Sequence, residues 1–278
     1  MLTRFHSRAW FAPLFVVGAL ALLAGCCASS RAGGRVDHAR LTAAIADPAR
    51  TPAFVARDPA RHPLEELTFF GVAPSMTVVE LWPSGGYWTE ILGPYLAAKG
   101  HYYVALQTMG DVADTAKWHE RVAAQGARWG SIHETRLGAG EYEIAPAGSA
   151  DMVLTFRNLH NWMHGGYAGQ ALAACFTALK PGGIFGIEEH RGHNDIPQDP
   201  LAKSGYVRQD YTIALAEKAG FKLVGQSEIN ANPKDTKDWP GGVWTLPPTL
   251  SQKDVDREKY LAIGEADNFI LKFQKPAN

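Results

Sequence analysis

The stretch Thr77-Val-Val-Glu-Leu-Trp-Pro-Ser-Gly-Gly-Tyr-Trp-Thr89 decides the fold, because it contains a strand, a turn and the start of a helix in direct succession. Its short apolar run, Thr77–Leu81, predicts a buried strand. Gly85 and Gly86 predict a tight turn, since glycine adopts backbone conformations that other residues avoid. The helix that follows has one apolar face, formed by Trp88, Ile91, Leu92, Tyr95 and Leu96.

Downstream, short apolar runs continue to alternate with amphipathic segments. Further strands are predicted at 102–106, 131–136, 151–156, 184–188, 221–229 and 268–274, and helices at 112–125, 167–179 and 209–219. A Lys180-Pro-Gly-Gly183 sequence predicts a stop between the helix and the strand on either side of it. Regular alternation of this kind predicts one α/β domain over residues 41–278, with a mostly parallel sheet and helices on both faces.

The N-terminal residues have a different composition. Arg4 and Arg8 precede an apolar run at 11–23, which is the pattern of a secretory signal peptide. The run is too short to cross the roughly 30 Å of hydrocarbon in a bilayer as a helix. Leu23-Ala-Gly-Cys26 resembles the lipobox of bacterial lipoproteins, which implies cleavage after residue 25 and lipidation of Cys26. The alternative is an ordinary signal peptide followed by an incidental cysteine.

A lipid anchor on Cys26 implies attachment to the bacterial cell envelope. The residue after Cys26 is not Asp, which implies the outer membrane facing the periplasm. Residues 26–40 are small, polar and rich in glycine at their start, so we expect a flexible tether. The body of the domain contains a single cysteine, Cys175, so that no internal disulfide is possible.

Charge excludes one class of partner. The formal net charge is −1 for the whole chain, and loss of Arg4 and Arg8 with residues 1–25 makes it −3. This balance offers no basic surface for nucleic acid. The composition, 46% hydrophobic and 10% aromatic, suffices for the core of one sizeable domain.

Three stretches together resemble class I S-adenosylmethionine-dependent methyltransferases, and more narrowly a bacterial group of exported, methyltransferase-like lipoproteins. They are the stretch 77–89, the sequence Asp151-Met-Val-Leu-Thr-Phe-Arg-Asn-Leu-His-Asn-Trp162, and Leu179-Lys-Pro-Gly-Gly-Ile-Phe-Gly186. The resemblance implies a Rossmann-like sandwich with a seven-stranded, mostly parallel sheet whose last strand is antiparallel. It also implies S-adenosylmethionine as cofactor.

The resemblance places the cofactor at the turn after the first strand. Glu80 matches the family's acid and Gly86 its last glycine, while the two earlier glycine positions hold Trp82 and Ser84, followed by Gly85. After the second strand the family has an acid for the ribose hydroxyls, where this chain has Gln107, a neutral and weaker acceptor. The implied cofactor-binding residues are Glu80, Trp82, Ser84, Gly85, Gly86, Gln107 and Asn158.

Chemistry is expected where two neighbouring strands end, since ligands of open α/β sheets bind beyond the carboxyl ends of the strands. The segments there read Arg157-Asn-Leu-His160-Asn-Trp-Met-His164 and Glu188-Glu-His190-Arg-Gly-His193. Imidazoles, carboxylates and cations in one place can deprotonate an acceptor before methyl transfer. His160, His190, Glu189 and Arg157 are the candidate catalytic residues.

The same histidines allow another interpretation. His160, His164, His190 and His193 could bind a divalent transition metal, because neutral imidazoles and carboxylates suit such ions. Each histidine could also serve only in local structure. The segment 231–265 is rich in Trp, Pro and Gly and interrupts the alternation, so it is interpreted as a lid or binding loop.

Two functional hypotheses follow. The first is an S-adenosylmethionine-dependent methyltransferase on the periplasmic side of a bacterial membrane, which acts on a small-molecule or surface-displayed acceptor. The second is a lipid-anchored protein that retains the fold and binds another small ligand or a metal.

Overall fold

The computed structural model describes residues 1–2, 34–108 and 112–277 of the chain. Over these residues the strands form one seven-stranded sheet in the order β3-β2-β1-β4-β5-β7-β6. The strands are β1 (Thr77–Leu81), β2 (His101–Gln107), β3 (Ile132–Leu137), β4 (Ala150–Phe156), β5 (Leu179–His190), β6 (Lys222–Ser227) and β7 (Asn268–Gln274).

The strand directions match the fold class predicted from the sequence. β1 pairs in parallel with both β2 and β4, and β4 pairs in parallel with β5. β7 is antiparallel to both of its neighbours, β5 and β6. The prediction of a mostly parallel sheet with an antiparallel last strand is therefore confirmed. The carboxyl ends of β1, β2, β4 and β5 consequently lie along one edge of the sheet.

Helices lie between most of the strands, and four short ones precede β1. In the described residues they are α1 (His38–Ile45), α2 (Pro52–Val55), α3 (Asp58–Arg61), α4 (Pro63–Phe70), α5 (Thr89–Leu96), α6 (Val112–Gln125), α7 (Leu159–His164), α8 (Ala168–Ala178), α9 (Gln209–Lys218) and α10 (Arg257–Ile263). Two 3-10 helices, Gly126–Trp129 and Gly242–Thr245, complete the set.

The first helix begins inside the segment that was predicted as a tether. Asp37 caps α1, because its side chain accepts a hydrogen bond from the backbone nitrogen of Arg40 at 3.0 Å. Leu41 is fully buried, so α1 is packed onto the domain from its first turn. Residues 38–40 therefore belong to the domain rather than to the tether. The signal peptide, Cys26 and the remainder of the tether through residue 33 lie outside the described residues.

The helix α8 ends at Ala178, so the end of the helix predicted at Lys180-Pro-Gly-Gly183 is confirmed, but the strand begins earlier than the predicted residue 184, because β5 runs from Leu179 to His190. The pairing of β5 with β4 shifts register between Ala150 and Met152, so the Pro-Gly-Gly segment forms an irregularity at the start of the strand. Such an irregularity accommodates proline and glycine without ending the strand.

The apolar core lies on both faces of the sheet. One cluster packs α8 against β4 and β5, and includes the buried thiol of Cys175. The other packs α1, α4 and α5 against β1 and β2. Burial raises the pKa of Cys175, so this thiol stays protonated and unreactive. None of the described helices is both long and apolar enough to cross a bilayer.

Candidate functional site

The turn after β1 has an unusual backbone. Trp82 has φ +50° and Ser84 has φ +52°, so two residues with side chains adopt the left-handed conformation that favours glycine. Gly86 follows with φ +88°. Residues held in this way are strained, by about 1–3 kcal/mol each, and such residues concentrate at functional sites. The turn thus has left-handed backbone at all three positions that the methyltransferase resemblance assigns to glycine.

Contacts of Trp82 hold the turn in place. Its backbone nitrogen donates a hydrogen bond to the carbonyl oxygen of Ala105 in β2 at 2.9 Å. Its indole Nε1 donates to the carbonyl oxygen of Leu137 at the end of β3, also at 2.9 Å. The ring packs edge-on against Trp162 in α7, with centroids 6.2 Å apart. The backbone of Trp82 therefore links the turn to β2, and its side chain links the turn to the end of β3 and to the helix that follows β4.

A cavity of about 360 Å³ opens beside this turn. Of the predicted cofactor-binding residues, it is lined by Trp82, Ser84, Gly85 and Gln107. The other lining residues are Pro83, Leu106, Thr115, Lys117, Trp118 and Arg121. The cavity thus joins the turn after β1, the end of β2 and one side of α6.

Glu80 does not line the cavity. Its carboxylate is buried and accepts hydrogen bonds from Thr89, the first residue of α5, at 2.8 Å and from the hydroxyl of Tyr102 in β2. Burial raises the pKa of Glu80 from its ordinary 4.5 to about 7, against the opposing effect of the two hydroxyl donors. Glu80 therefore positions α5 against β1 and β2.

Asn158 and Gly86 also lie off the cavity wall. The Asn158 side-chain nitrogen donates to the carbonyl oxygen of Leu81 at 3.1 Å and to the hydroxyl of Thr155 at 3.2 Å, so it joins the ends of β1 and β4. A Cβ at Gly86 would lie 3.5 Å from the side chain of Arg121, which is ordinary contact. Its positive φ, not lack of space, is what requires glycine.

The structure brings the predicted histidines of the two neighbouring strands together. The rings of His160 in α7 and His190 at the end of β5 have centroids 5.4 Å apart. Nδ1 of His160 lies 2.9 Å from Oε1 of Glu189, and Nδ1 of His190 lies 2.8 Å from Oδ1 of Asn268. Glu189 is fully buried and also accepts from the backbone nitrogens of His160 and His190, at 3.2 and 2.8 Å. We call His160, Glu189 and His190 the histidine group.

Electrostatics fix the charges in the histidine group. Burial alone would raise the pKa of Glu189, but the charge and hydrogen bond of His160 outweigh it, and the pKa is lowered. Glu189 is therefore a carboxylate. Burial lowers the pKa of His190 to about 3, so its ring is neutral at physiological pH.

His164 and His193 do not join the histidine group. Of the histidines in the described ranges, only His160 and His190 offer a nitrogen within 4.8 Å of the other members. His164 is exposed at the last residue of α7. Nε2 of His193 lies 3.1 Å from the carbonyl oxygen of Thr236. The prediction of a four-histidine metal site is therefore wrong for these two residues.

Arg157 is compensated by carboxylates. It adopts φ +61°, and its backbone nitrogen donates to the carbonyl oxygen of Glu188 at 2.7 Å. Its Nη1 lies 2.9 Å from the carboxylate of Glu265, and its Nε lies 3.7 Å from that of Glu188. Arg157 holds the site together, and its charge is already paired inside the protein.

Glu265 was missed by the sequence reasoning. It also accepts hydrogen bonds from Arg57 at 2.6 and 2.8 Å and lies 3.5 Å from Nε of Arg61. Three arginines from distant segments thus meet one carboxylate. Glu265 lies three residues before β7, the strand that pairs with β5. Its closeness to that strand in the sequence was the available signal for a place near the site.

The segment 231–265 packs over the histidine group. Trp244, in the second 3-10 helix, lies edge-on to His160 with centroids 5.9 Å apart. The segment has its own small apolar cluster with Tyr206 and Tyr260. Buried Asp235 accepts hydrogen bonds from the Tyr206 hydroxyl at 2.9 Å and from Nε1 of Trp239 at 2.7 Å.

Asn268, at the start of β7, is the other partner of the histidine group that the sequence analysis did not identify.

Three solved structures place the fold among known ones. A SAM-dependent methyltransferase from Aquifex aeolicus is 16% identical, with a TM-score of 0.53 over 87% of this chain and 100% of that chain. The [4+2]-cyclase SpnF is 14% identical, with a TM-score of 0.52 over 88% of this chain and 87% of that chain. An O-methyltransferase family protein from Burkholderia thailandensis is 14% identical, with a TM-score of 0.50 over 81% of this chain and 57% of that chain.

The sequence matches no protein-family model and no curated protein. At such low identities the solved structures establish the fold alone. In the described residues an antiparallel β7 lies between β5 and β6, and the first two of these solved structures align with 87% and 88% of this chain. The chain therefore has the Rossmann-like α/β fold of the S-adenosylmethionine-dependent methyltransferases.

Proposed function

We propose that this protein is an S-adenosylmethionine-dependent methyltransferase of the bacterial cell envelope. The observation that supports it most is the turn Trp82–Gly86, whose three left-handed positions border a cavity of about 360 Å³. Backbone in this conformation allows main-chain nitrogens and carbonyls to approach a ligand closely. The cavity lies where ligands of open α/β sheets bind.

The cavity wall fits an adenosyl group. Leu106 and Trp118 supply apolar surface for a flat base, and Gln107 supplies an amide oxygen at the end of β2 for a ribose hydroxyl. Arg121 is the wall residue that suits the carboxylate of the methionine part, and its Nη1 also lies 3.2 Å from the carboxylate of Glu90. When bound, the cofactor supplies an electrophilic methyl group.

The acceptor is assigned to the histidine group. Trp82 lines the cavity and contacts Trp162, and Trp162 lies in the same short helix as His160. His160, whose Nδ1 is held by the Glu189 carboxylate, would take the proton of an acceptor hydroxyl, thiol or amine, and Trp244 beside it restricts access of water. A bound cofactor would supply the methyl group and leave as its demethylated product.

The experiment is a calorimetric titration of the purified full-length protein with S-adenosylmethionine and with its demethylated product. We expect saturable binding of both at one site. Absence of heat and of chemical-shift change at millimolar concentration would contradict the proposal. Such a result would favour the second hypothesis, a binding protein that keeps the fold. The replacement of two family glycines by Trp82 and Ser84 is consistent with that hypothesis.

Location is part of the proposal. The lipobox-like Leu23-Ala-Gly-Cys26 supports a lipid anchor on Cys26 in the envelope, with the domain facing the periplasm. The acceptor would then be a small molecule or a group displayed on an envelope surface. Net negative charge disfavours a nucleic-acid acceptor.

A further inference from the structure

Two imidazoles and one carboxylate meet at the ends of β5 and α7. One ligand atom each from His160, Glu189 and His190 lies within 4.8 Å of the others. With metal–ligand bonds of about 2.0–2.2 Å, two atoms on the same ion lie at most about 4.4 Å apart. A small movement of these side chains would therefore bring their ligand atoms to the spacing found around one metal ion. We infer that His160 and His190 bind a divalent transition metal ion, with Glu189 and Asn268 as their supporting partners.

Hydrogen bonds at Nδ1 set the tautomer of both rings. A carboxylate oxygen accepts, so Nδ1 of His160 carries a hydrogen and donates it to Oε1 of Glu189 over 2.9 Å. Oδ1 of Asn268 likewise accepts from Nδ1 of His190 over 2.8 Å. An imidazole that donates from Nδ1 presents Nε2 to a metal ion. Metal-binding histidines have this arrangement, with the second nitrogen held by a carboxylate or an amide oxygen.

The Nε2 atoms are available to a metal ion. Within residues 34–108 and 112–277, no hydrogen bond is found at Nε2 of His160 or of His190. Each Nδ1 is held by a residue of the sheet, Glu189 on β5 or Asn268 on β7, so each Nε2 is directed away from its strand. The ring centroids are 5.4 Å apart, with the ring planes only 35° from parallel. Trp244 lies edge-on to the His160 ring of this pair, with centroids 5.9 Å apart.

The chemistry of the donors selects the ion. Imidazole nitrogens suit Zn²⁺, Cu²⁺, Ni²⁺ and Fe²⁺, whereas Mg²⁺ and Ca²⁺ prefer oxygen ligands. Two protein nitrogens leave coordination positions for water or for an acceptor oxygen or sulfur. The same ion would lower the pKa of a bound acceptor group. The inference goes beyond methyl transfer, because metal binding is measured without the methyl donor.

The test uses the full-length protein after dialysis against a chelator. Titration with ZnCl₂ is followed by calorimetry, and titration with CoCl₂ by visible absorption. We expect about one equivalent of Zn²⁺ and Co²⁺ bands that report nitrogen ligands. His160→Gln and His190→Gln should each lose this binding, and Asn268→Ala should weaken it about 10–100-fold.

His164→Gln and His193→Gln are the matched controls, because both histidines lie outside the histidine group, and they should bind like the wild type. Equal Zn²⁺ affinity in the wild type and in both group variants would overturn the inference. If those variants fail to fold by circular dichroism, the wild-type protein still decides: no Zn²⁺ heat and no Co²⁺ bands would overturn it. A wild type that binds Zn²⁺ but not S-adenosylmethionine would leave the inference standing and remove the proposed methyl transfer.

Discussion

Glu265 and Arg157 lie 2.9 Å apart, carboxylate oxygen to Nη1, although 108 positions separate them in the chain. Glu265 is the last residue of the segment 231–265, and Arg157 follows β4 directly. The contact therefore fastens the segment that covers the histidine group to the carboxyl end of the sheet. A covering segment held in this way is fixed in place, in contrast to a freely opening lid.

Removing the charge of Glu265 should loosen this attachment. Glu265→Gln leaves Arg57, Arg61 and Arg157 without their shared carboxylate, and its side chain is only 10% exposed. Loss of one partner of a buried ion pair costs about 3–5 kcal/mol, so we expect a fall in the free energy of unfolding near the lower value. Urea denaturation measures it.

Glu228→Gln is the control for Glu265→Gln. Glu228 also pairs with an arginine, Arg191, but its side chain is 63% exposed. An exposed pair contributes under about 1 kcal/mol. Equal destabilisation by the two substitutions would contradict a buried anchoring role for Glu265.

Strain at Ser84 gives a second prediction. The left-handed backbone of Ser84 costs roughly 1–2 kcal/mol, and Ser84→Gly removes this strain. Glycine also makes the unfolded chain more flexible, which lowers the free energy of unfolding by about 0.5–1 kcal/mol. We expect a net gain of about 0.5–1 kcal/mol, seen as a rise of a few degrees in Tm. Ser84→Ala keeps the strain and should show no gain. A lower Tm for Ser84→Gly would refute the assignment of strain.

Gln107 should set the affinity for the methyl donor. Gln107→Glu places a carboxylate at the end of β2, where a charged acceptor binds ribose hydroxyls about twice as strongly as a neutral one. We expect S-adenosylmethionine to bind several-fold more tightly. Gln107→Leu should weaken binding. Calorimetry that shows no change for either variant would place the ribose elsewhere.

Burial of Glu80 predicts a pH dependence of stability. Its pKa is about 7 in the folded protein against 4.5 in the unfolded chain. The folded state thus retains the proton longer, and the stability that this gives is complete below pH 4.5 and is lost as the pH rises to 7. At 1.36 kcal/mol per unit, the loss is about 3 kcal/mol.

Glu80→Gln tests this directly, because the amide cannot ionise. The difference in unfolding free energy between variant and wild type should grow from pH 5 to pH 8 in favour of the variant. A difference that stays constant over this range would show that Glu80 is ionised throughout.

Cys26 should control membrane attachment. Cys26→Ala removes the residue on which a lipid anchor would be built, and the apolar run 11–23 is too short to span a bilayer. We expect an unprocessed or soluble product in detergent partitioning. A variant that stays membrane-bound and is cleaved at the same position would contradict the lipoprotein assignment.

Much of the fold could be predicted from the pattern of apolar residues and glycines within short stretches of the sequence. The strand Thr77–Leu81, its glycine turn and the apolar face of α5 follow from neighbouring residues, and all three are confirmed. The start of β5 was predicted too late, at residue 184, because the pairing of Leu179 with β4 outweighs the local tendency of proline and glycine to interrupt a strand. His160, Glu189 and His190 were all named from the sequence, since the strand ends that carry them could be placed side by side from topology alone.

Longer-range partners could not be found in that way. Asn268 reaches His190 only through the antiparallel register of β7 on β5, in which these two residues pair. Glu265 neutralises Arg157 through a segment whose path no periodic pattern predicts. For that reason the sequence did not show that Arg157, a candidate catalytic residue, is held by internal carboxylates.

The left-handed backbone at Trp82 and Ser84 bears on how such chains are recognised. A search pattern that demands glycine at these positions rejects this sequence, although its backbone there has the left-handed conformation that glycine favours. Relatives of this protein are therefore better sought by the conformation of the loop and the order of the strands than by the amino-acid sequence of the motif.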